Sequence, residues 1–147
     1  MERISVERVM SLVTKEASIV GEDSSLVEIA EKILEDPKTR TVYVVNSKGK
    51  LVGIIPVMEL IQYLYAKYIP EEYKLYRIPM RVSVGSVAKD IMLPPVWVKK
   101  EESITSALRK MFKHGVQELP VVNEEMEIIG DLNILELINA WVERQRK

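Results

Sequence analysis

Residues 42–60 read VYVVNSKGKLVGIIPVMEL, and residues 119–137 read LPVVNEEMEIIGDLNILEL. The two stretches align without a gap: each has an apolar strand ending in asparagine, a turn, a second strand containing glycine, and a glutamate followed by leucine. Working outward, residues 4–64 align with residues 86–141, at an offset that drifts from 82 (Met10 with Met92) to 77 (Leu60 with Leu137). Two copies of a unit of roughly sixty residues indicate one pseudo-symmetric module rather than a solenoid, which needs at least three repeats.

Each copy predicts the element order β-α-β-β-α. The β-prone segments Ala17–Val20 and Val96–Val98 come first, and a helix follows each of them. Ser25 with Glu28 predicts a capping box for the first helix, and Ser103 predicts an N-cap for the other. Two strands joined by a tight turn and a closing helix complete each copy, with the strands at 42–46 and 51–55 or 119–123 and 127–132, and the helices at about 57–68 or about 133–146.

The fold class predicted is α+β, with two pseudo-symmetric repeats packed sheet to sheet as one module. The strands are nearly continuous apolar runs, so we expect both of their faces to be covered. Repeat 1 is assigned to residues 1–66, a connecting segment to 67–85, and repeat 2 to 86–147. Five of the six tyrosines lie in or beside the connecting segment, and we expect them to pack the joint between the repeats or a homodimer face: Tyr63, Tyr65, Tyr68, Tyr73 and Tyr76.

Composition narrows the classes of function. The chain of 147 residues has 47% hydrophobic residues, a net charge of −1 and interleaved acids and bases, so no basic face for nucleic acid is expected. The longest apolar run, Leu51 to Met58, is far shorter than the ~20 residues of a membrane span. The N-terminus has no apolar signal region, and we expect a cytoplasmic, soluble protein with no membrane partner.

The sequence offers little catalytic chemistry. There is no cysteine, and the one histidine, His114, precedes Gly115 at the predicted end of a helix, where a C-cap is the ordinary explanation. The six glycines are scattered and no serine lies in a Gly-x-Ser-x-Gly turn. The prediction is therefore that the chain is not an enzyme, has no catalytic residues or metal site, and requires no cofactor.

The duplicated order, the apolar-Pro-Val-Val-Asn strand and the Gly-apolar-apolar segment before a helix resemble the CBS domain, here as the tandem pair often called a Bateman module. The resemblance covers nearly the whole chain. It implies a regulatory module that binds an adenosine-containing ligand, such as AMP, ADP, ATP or S-adenosylmethionine, in clefts between the repeats. It also implies that the module signals to an unknown regulated protein.

The family's phosphate-and-ribose motif, Gly-apolar-apolar-Thr/Ser-x-x-Asp, is altered in both copies. They read Gly53-Ile-Ile-Pro56-Val-Met-Glu59 and Gly130-Asp-Leu-Asn133-Ile-Leu-Glu136. The resemblance implies two sets of ligand-binding residues. The first cleft would comprise Val13, Ser18, Thr39, Arg40, Asp131, Asn133 and Glu136. The second would comprise Ile54, Pro56, Glu59, Val96, Val116 and Gln117. The first set is the more polar and contains Arg40, the best candidate for binding phosphate.

Two alternatives remain open. Helix capping alone accounts for Asn133 with Glu136 and for Pro56 in a first helical turn. The chain could then be a ligand-free dimerisation or adaptor module for protein assembly. A homodimer is expected under either reading, because the closing helices carry wide apolar rows: Met58, Ile61, Tyr65 and Tyr68, and Ile134, Leu137, Ile138 and Trp141.

Overall fold

A computed structural model describes residues 4–73 and 85–146. In repeat 1 the elements are α1 (Val6–Val9), β1 (Ile19–Gly21), α2 (Leu26–Glu35), β2 (Thr41–Val45), β3 (Leu51–Pro56) and α3 (Val57–Leu64), followed by single 3₁₀ turns at Ala66–Tyr68 and Glu71–Tyr73. In repeat 2 they are α4 (Ala88–Ile91), α5 (Ile104–His114), β4 (Glu118–Val122), β5 (Ile128–Asn133) and α6 (Ile134–Gln145). The predicted fold class, two α+β repeats, is confirmed.

The two sheets are built alike. In repeat 1, β2 lies between β1, to which it runs parallel, and β3, to which it runs antiparallel. In repeat 2, β4 pairs with β5, and a single parallel bridge from Val98 to Val121 occupies the place of β1. A register shift occurs at the same point of each hairpin, between Val44 and Val45 and between Val121 and Val122. The predicted strand at 96–98 is thus reduced to one bridge.

The helix boundaries follow the local capping chemistry that the sequence predicts. Ser25 and Glu28 form a complete capping box, and Ser103 accepts a hydrogen bond from the Ser106 N–H. Gly115 ends α5 in the left-handed conformation, with φ 65°. The predicted helix over 57–68 is shorter than expected, because Tyr65 leaves the helical region at φ −121° and ψ 28°.

The short helices are exchanged between the repeats. The segment leading into α1 pairs with repeat 2, where the Val6 N–H donates to the Glu102 carbonyl at 2.8 Å. The segment containing α4 pairs with repeat 1, where the Ala88 N–H donates to the Ser24 carbonyl at 2.9 Å. Each repeat is therefore completed by the first short helix of the other repeat. The two repeats are interlocked as a result.

A methionine at the end of each exchanged helix packs against a motif glycine. A Cβ added to Gly53 would lie 2.7 Å from Met92 Cγ, and one added to Gly130 would lie 2.8 Å from Met10 Sδ. Those distances are too short for carbon and sulfur atoms, so an added Cβ would require the methionine side chain to shift. The two glycines fix how closely α1 and α4 approach the hairpins.

The buried core crosses the boundary between the repeats. One cluster contains Val6, Tyr43 and Ile54 together with Leu119 and Leu132, so it joins both sheets. A second cluster lies within repeat 1 and against α4. In the described ranges no helix is long and apolar enough to cross a membrane.

Three of the five tyrosines in or beside the connecting segment do not pack the joint between the repeats, which leaves a homodimer face as the place expected for them. Tyr65, Tyr68 and Tyr73 are 52%, 73% and 72% exposed, and Tyr65 contacts Tyr68 at a ring-centroid distance of 6.4 Å. Tyr63 is partly buried, and Tyr76 lies outside the described residues. Three of these rings therefore remain available to a partner.

We expect Gly53→Ala to destabilise the fold by about 1–3 kcal/mol, because the added methyl group overpacks against Met92. Urea denaturation monitored by circular dichroism measures this loss. Gly21→Ala is the matched control, since its nearest neighbouring atom, Ser24 Oγ, is 4.0 Å away. Equal losses in the two variants would show that the methionine contact is unimportant.

Candidate functional site

The two repeats meet at equivalent junctions between a strand and a helix. In repeat 1, Pro56 ends β3 and precedes α3, whose first turn contains Glu59. In repeat 2, Asn133 ends β5 and precedes α6, whose first turn contains Glu136. These are the two altered motifs of the sequence, and their surroundings differ.

Glu136 is completely buried and receives three main-chain hydrogen bonds. Its Oε2 accepts from the N–H groups of Val13 and Thr14, both at 2.6 Å, and its Oε1 accepts from the Asn133 N–H at 2.7 Å. The loop after α1 is thereby attached to the start of α6. Burial raises the pKa of Glu136, whereas these three hydrogen bonds lower it.

The polar residues around Glu136 also bond to protein groups. Asn133 caps α6 through Oδ1 and donates through Nδ2 to the Lys38 carbonyl at 2.7 Å, which connects the repeats. Ser18 and Thr39 share a hydrogen bond of 2.8 Å between their hydroxyls. Of the polar groups predicted for the first cleft, Ser18, Thr39, Asn133 and Glu136 are therefore bonded to the protein itself.

A second acidic group adjoins this cleft. The Tyr43 hydroxyl donates to Asp131 Oδ1 at 2.5 Å, and Glu118 Oε1 accepts from the N–H groups of Arg40 and Thr41 at 2.6 and 2.9 Å. Burial, followed by the neighbouring Glu118 carboxyl, raises the pKa of Asp131 well above its usual range. Burial also raises the pKa of Tyr43, and the charge of Asp131 raises it further. At equivalent positions repeat 1 has Ile54 for Asp131 and Thr41 for Glu118, so the acidic group exists on one side of the pseudo-symmetry only.

Glu59, the counterpart of Glu136, lacks such partners. It is 1% exposed, its Oε2 accepts a long hydrogen bond of 3.4 Å from Gln62, and its Oε1 has no partner within the described part of the chain. Burial raises the pKa of Glu59 to about 7, against the lowering effect of the Tyr63 hydroxyl.

The sequence explains this asymmetry. At the offset of 82 that relates α1 to α4, Val13 corresponds to Pro95 and Thr14 to Val96. A proline has no N–H, so the segment facing Glu59 cannot supply both donors that Glu136 receives. Pro56 likewise has no amide to match the Asn133 side chain that bonds to Lys38.

A cavity of about 440 Å³ lies at the Pro56 junction. Repeat 1 contributes Arg40 and the residues that begin α3, and repeat 2 contributes the segment between α5 and β4. The lining residues are Arg40, Pro56, Val57, Met58, Gly115, Val116 and Gln117.

Two features favour an anion in this cavity. The Arg40 side chain is held in place, since its Nη1 donates to the carbonyls of Pro37 and Lys38 at 3.2 and 2.9 Å. Across the cavity, α3 begins without a side-chain cap, in contrast to α6. Uncapped N–H groups at a helix N-terminus and a guanidinium both suit phosphate oxygens.

The structure brings the first predicted set together, and Arg40 also lines the cavity at the second. Of the second set, Pro56, Val116 and Gln117 line this cavity. Glu59 is buried within α3, Ile54 is bonded to Leu93, and Val96 lines a separate cavity of about 190 Å³ with Trp97 and His114. The sequence analysis did not name Tyr43 or Glu118 as site residues. Two signals were available: Tyr43 places a hydroxyl inside an apolar strand, and Glu118 places an acid at the start of another strand.

We expect Glu136→Gln to lower the free energy of unfolding by about 2–3 kcal/mol, because the new NH₂ group would face main-chain donors. Glu59→Gln is the matched control and should change it by less than about 1 kcal/mol at pH 5. At pH 8 the control should be more stable than wild type. Glu59 has a raised pKa in the folded state, so its contribution is complete below the ordinary value of 4.5 and is lost as the pH rises from there to about 7. Urea denaturation at pH 5 and pH 8 measures this, and a larger loss in Glu59→Gln than in Glu136→Gln would contradict the assignment.

Comparison with known proteins agrees with this architecture. A family model described as the CBS domain matches residues 6–66 and 88–143. The crystal structure of a CBS domain-containing protein (TM0935) from Thermotoga maritima is 39% identical, with 95% of each chain covered and a TM-score of 0.82.

Two structures with bound ligands share the fold. CBSX2 in complex with AMP, a protein of Arabidopsis thaliana, is 22% identical over 97% of this chain and 98% of that chain, with a TM-score of 0.73. The CBS domain pair of protein MJ0100, in complex with 5′-methylthioadenosine and S-adenosyl-L-methionine, is 18% identical over 95% of this chain and 97% of that chain, with a TM-score of 0.74. With two family matches covering most of its length, the chain belongs to the CBS domain family and is a tandem CBS pair.

Proposed function

We propose that this chain is a regulatory module that binds one adenosine-containing ligand, such as AMP, ADP, ATP or S-adenosylmethionine, in the cavity at Pro56. The observation that carries the proposal is the cavity of about 440 Å³ lined by Arg40 and by the start of α3, which has no side-chain cap. Its volume falls within the 300–1,000 Å³ of ordinary ligand sites. The AMP and S-adenosylmethionine complexes of proteins with this fold support the ligand class.

The contrast between the two clefts supports a single ligand per chain. At the Asn133 junction, the protein's own groups already use the carboxylate and amide that would meet a ligand. A ligand there would have to break several buried hydrogen bonds. Each buried polar group that loses its partner costs free energy. At the Pro56 junction, by contrast, Glu59 Oε1 has no hydrogen-bond partner among the described residues.

The position of the cavity between the two repeats supports a regulatory role. Arg40 and Met58 come from repeat 1, whereas Gly115 and Gln117 come from repeat 2. A ligand that fits one arrangement of these walls better than another shifts the population of the two arrangements by that difference in affinity. A regulated partner protein would then respond to the arrangement that the ligand favours.

Isothermal titration calorimetry with AMP tests the site, and we expect one ligand per chain. Arg40→Ala should weaken AMP binding at least tenfold, about 1.4 kcal/mol, while adenosine, which has no phosphate, should bind wild type and variant alike. Arg109→Ala, an exposed arginine on α5, is the control and should bind AMP like wild type. Two ligands per chain, or AMP binding unaffected by Arg40→Ala, would contradict this assignment.

The exposed apolar surface favours a second candidate function, assembly of a homodimer. On α6, Ile138 and Trp141 are 56% and 57% exposed, and on α3 Met58 is 56% exposed. Exposed apolar groups clustered on a helix face mark interaction surfaces more often than isolated ones do. A second copy of the chain would cover them, with or without a ligand in the cavity.

We expect the chain to sediment as a dimer at micromolar concentration, and the double variant Ile138→Arg, Trp141→Arg to sediment as a folded monomer. Charges introduced into an apolar interface cannot be solvated there, which is why association should fail. Leu34→Arg replaces a single exposed leucine on α2 and should leave the dimer intact. Analytical ultracentrifugation distinguishes these states, and a monomeric wild type would exclude the assembly function.

A further inference from the structure

Three carboxyl groups are buried where the repeats meet, and none has a cationic partner among the described residues. Glu118, Asp131 and Glu136 are each at most 1% exposed. The ion pairs of the described ranges involve other acids, all at the surface or partly exposed. The nearby Arg40 side chain is bonded to carbonyl groups of its own turn.

Main-chain donors satisfy two of the three carboxyls, as described above, but not the third. Asp131 accepts a hydrogen bond from Tyr43 at Oδ1, while its Oδ2 is buried and has no donor within the described residues. The Glu118 side chain lies within hydrogen-bonding reach of Asp131. Two ionised carboxylates have only acceptors, so they can bond to each other only when one of them carries a proton.

We propose that Asp131 keeps its proton in the folded protein and donates it to Glu118, which makes the contact between the two repeats a proton-dependent clasp. Glu118 in turn accepts from the N–H of Arg40, just before β2, and from the N–H of Thr41 in β2, and Tyr43 of β2 bonds to Asp131. The shared proton thus joins β4 to β5 at the place where both strands bond to repeat 1. This proposal is independent of any ligand in the cavity.

The two carboxyls that face Asp131 favour its protonated form. Tyr43 faces it from β2, Glu118 from β4 and Glu136 from α6, so ionisation would place a second or third negative charge in a buried space. Burial, and then the bond to Glu118, raises the pKa of Asp131 to about 10. The Tyr43 hydroxyl acts in the opposite direction but does not offset burial.

The sign of the resulting pH dependence follows from linkage. The folded pKa of Asp131 exceeds its ordinary value of 3.8, so between that value and about 10 the folded chain holds a proton that the unfolded chain releases. Stability is therefore lost as the pH rises, and each pH unit lowers the folding equilibrium constant by up to tenfold. Glu59 also makes the folded chain less stable as the pH rises, and this loss of stability is complete above its pKa of about 7.

Carboxyl ¹³C NMR of the wild-type chain, labelled at aspartate, tests the proposal directly. The chain has four aspartates: Asp23, Asp36, Asp90 and Asp131. We expect one of the four resonances to stay at the protonated position up to at least pH 8. Asp131→Asn should remove that resonance. If all four aspartates ionise by pH 7, the clasp does not exist.

A second measurement follows stability between pH 7.5 and 9.5, above the range in which Glu59 titrates. The folding equilibrium constant of wild type should fall with pH, and Asp131→Asn, whose amide can donate to Glu118 without ionising, should remove most of the fall. Asp23→Asn, at a surface aspartate whose side chain is 84% exposed, should keep the wild-type slope. An unchanged slope in Asp131→Asn overturns the proposal, and if that variant fails to fold, the NMR titration of wild type decides alone.

Discussion

The reciprocal exchange of α1 and α4 is the constraint on which the rest of the structure depends. Met10 packs on Gly130 and Met92 packs on Gly53, where an added Cβ would lie less than 3.0 Å from the methionine side chain. These contacts hold the segment that follows each short helix against the opposite repeat. As a result, main-chain groups of one segment meet Glu136, and the other segment pairs with Ile54 of β3 through Leu93.

A duplicated fold has therefore produced two unlike clefts. Where the exchanged segment carries Val13 and Thr14, their N–H groups bind the acid of the junction and close the cleft. Where it carries Pro95 and Val96, one of these two donors is missing, the acid is left with a buried oxygen that has no partner among the described residues, and an open cavity adjoins the same junction. The carboxyl group is present in both clefts, so the clefts differ in the donors around it.

The repeated pattern made most of the fold predictable. The capping box at Ser25, the N-cap at Ser103 and the C-cap at Gly115 depend on residues within one helical turn, and all three are confirmed. The hairpins were predictable for the same reason, because each turn is set by neighbouring residues. The candidate site was less predictable: both sets of cleft residues were named, but the sequence favoured the polar set around Asn133, whereas the cavity adjoins Pro56.

By itself the sequence determined the two repeats, their elements and their membership of one module, because those properties follow from local propensity and from internal similarity. Only the tertiary structure decided that Glu136 is satisfied by the N–H groups of Val13 and Thr14, and that Glu118 lies against Asp131. Hydrogen bonds between groups more than a hundred residues apart depend on how α1 docks against repeat 2. The physical reason is that the sequence does not show whether a polar side chain faces a ligand or the protein's own main chain.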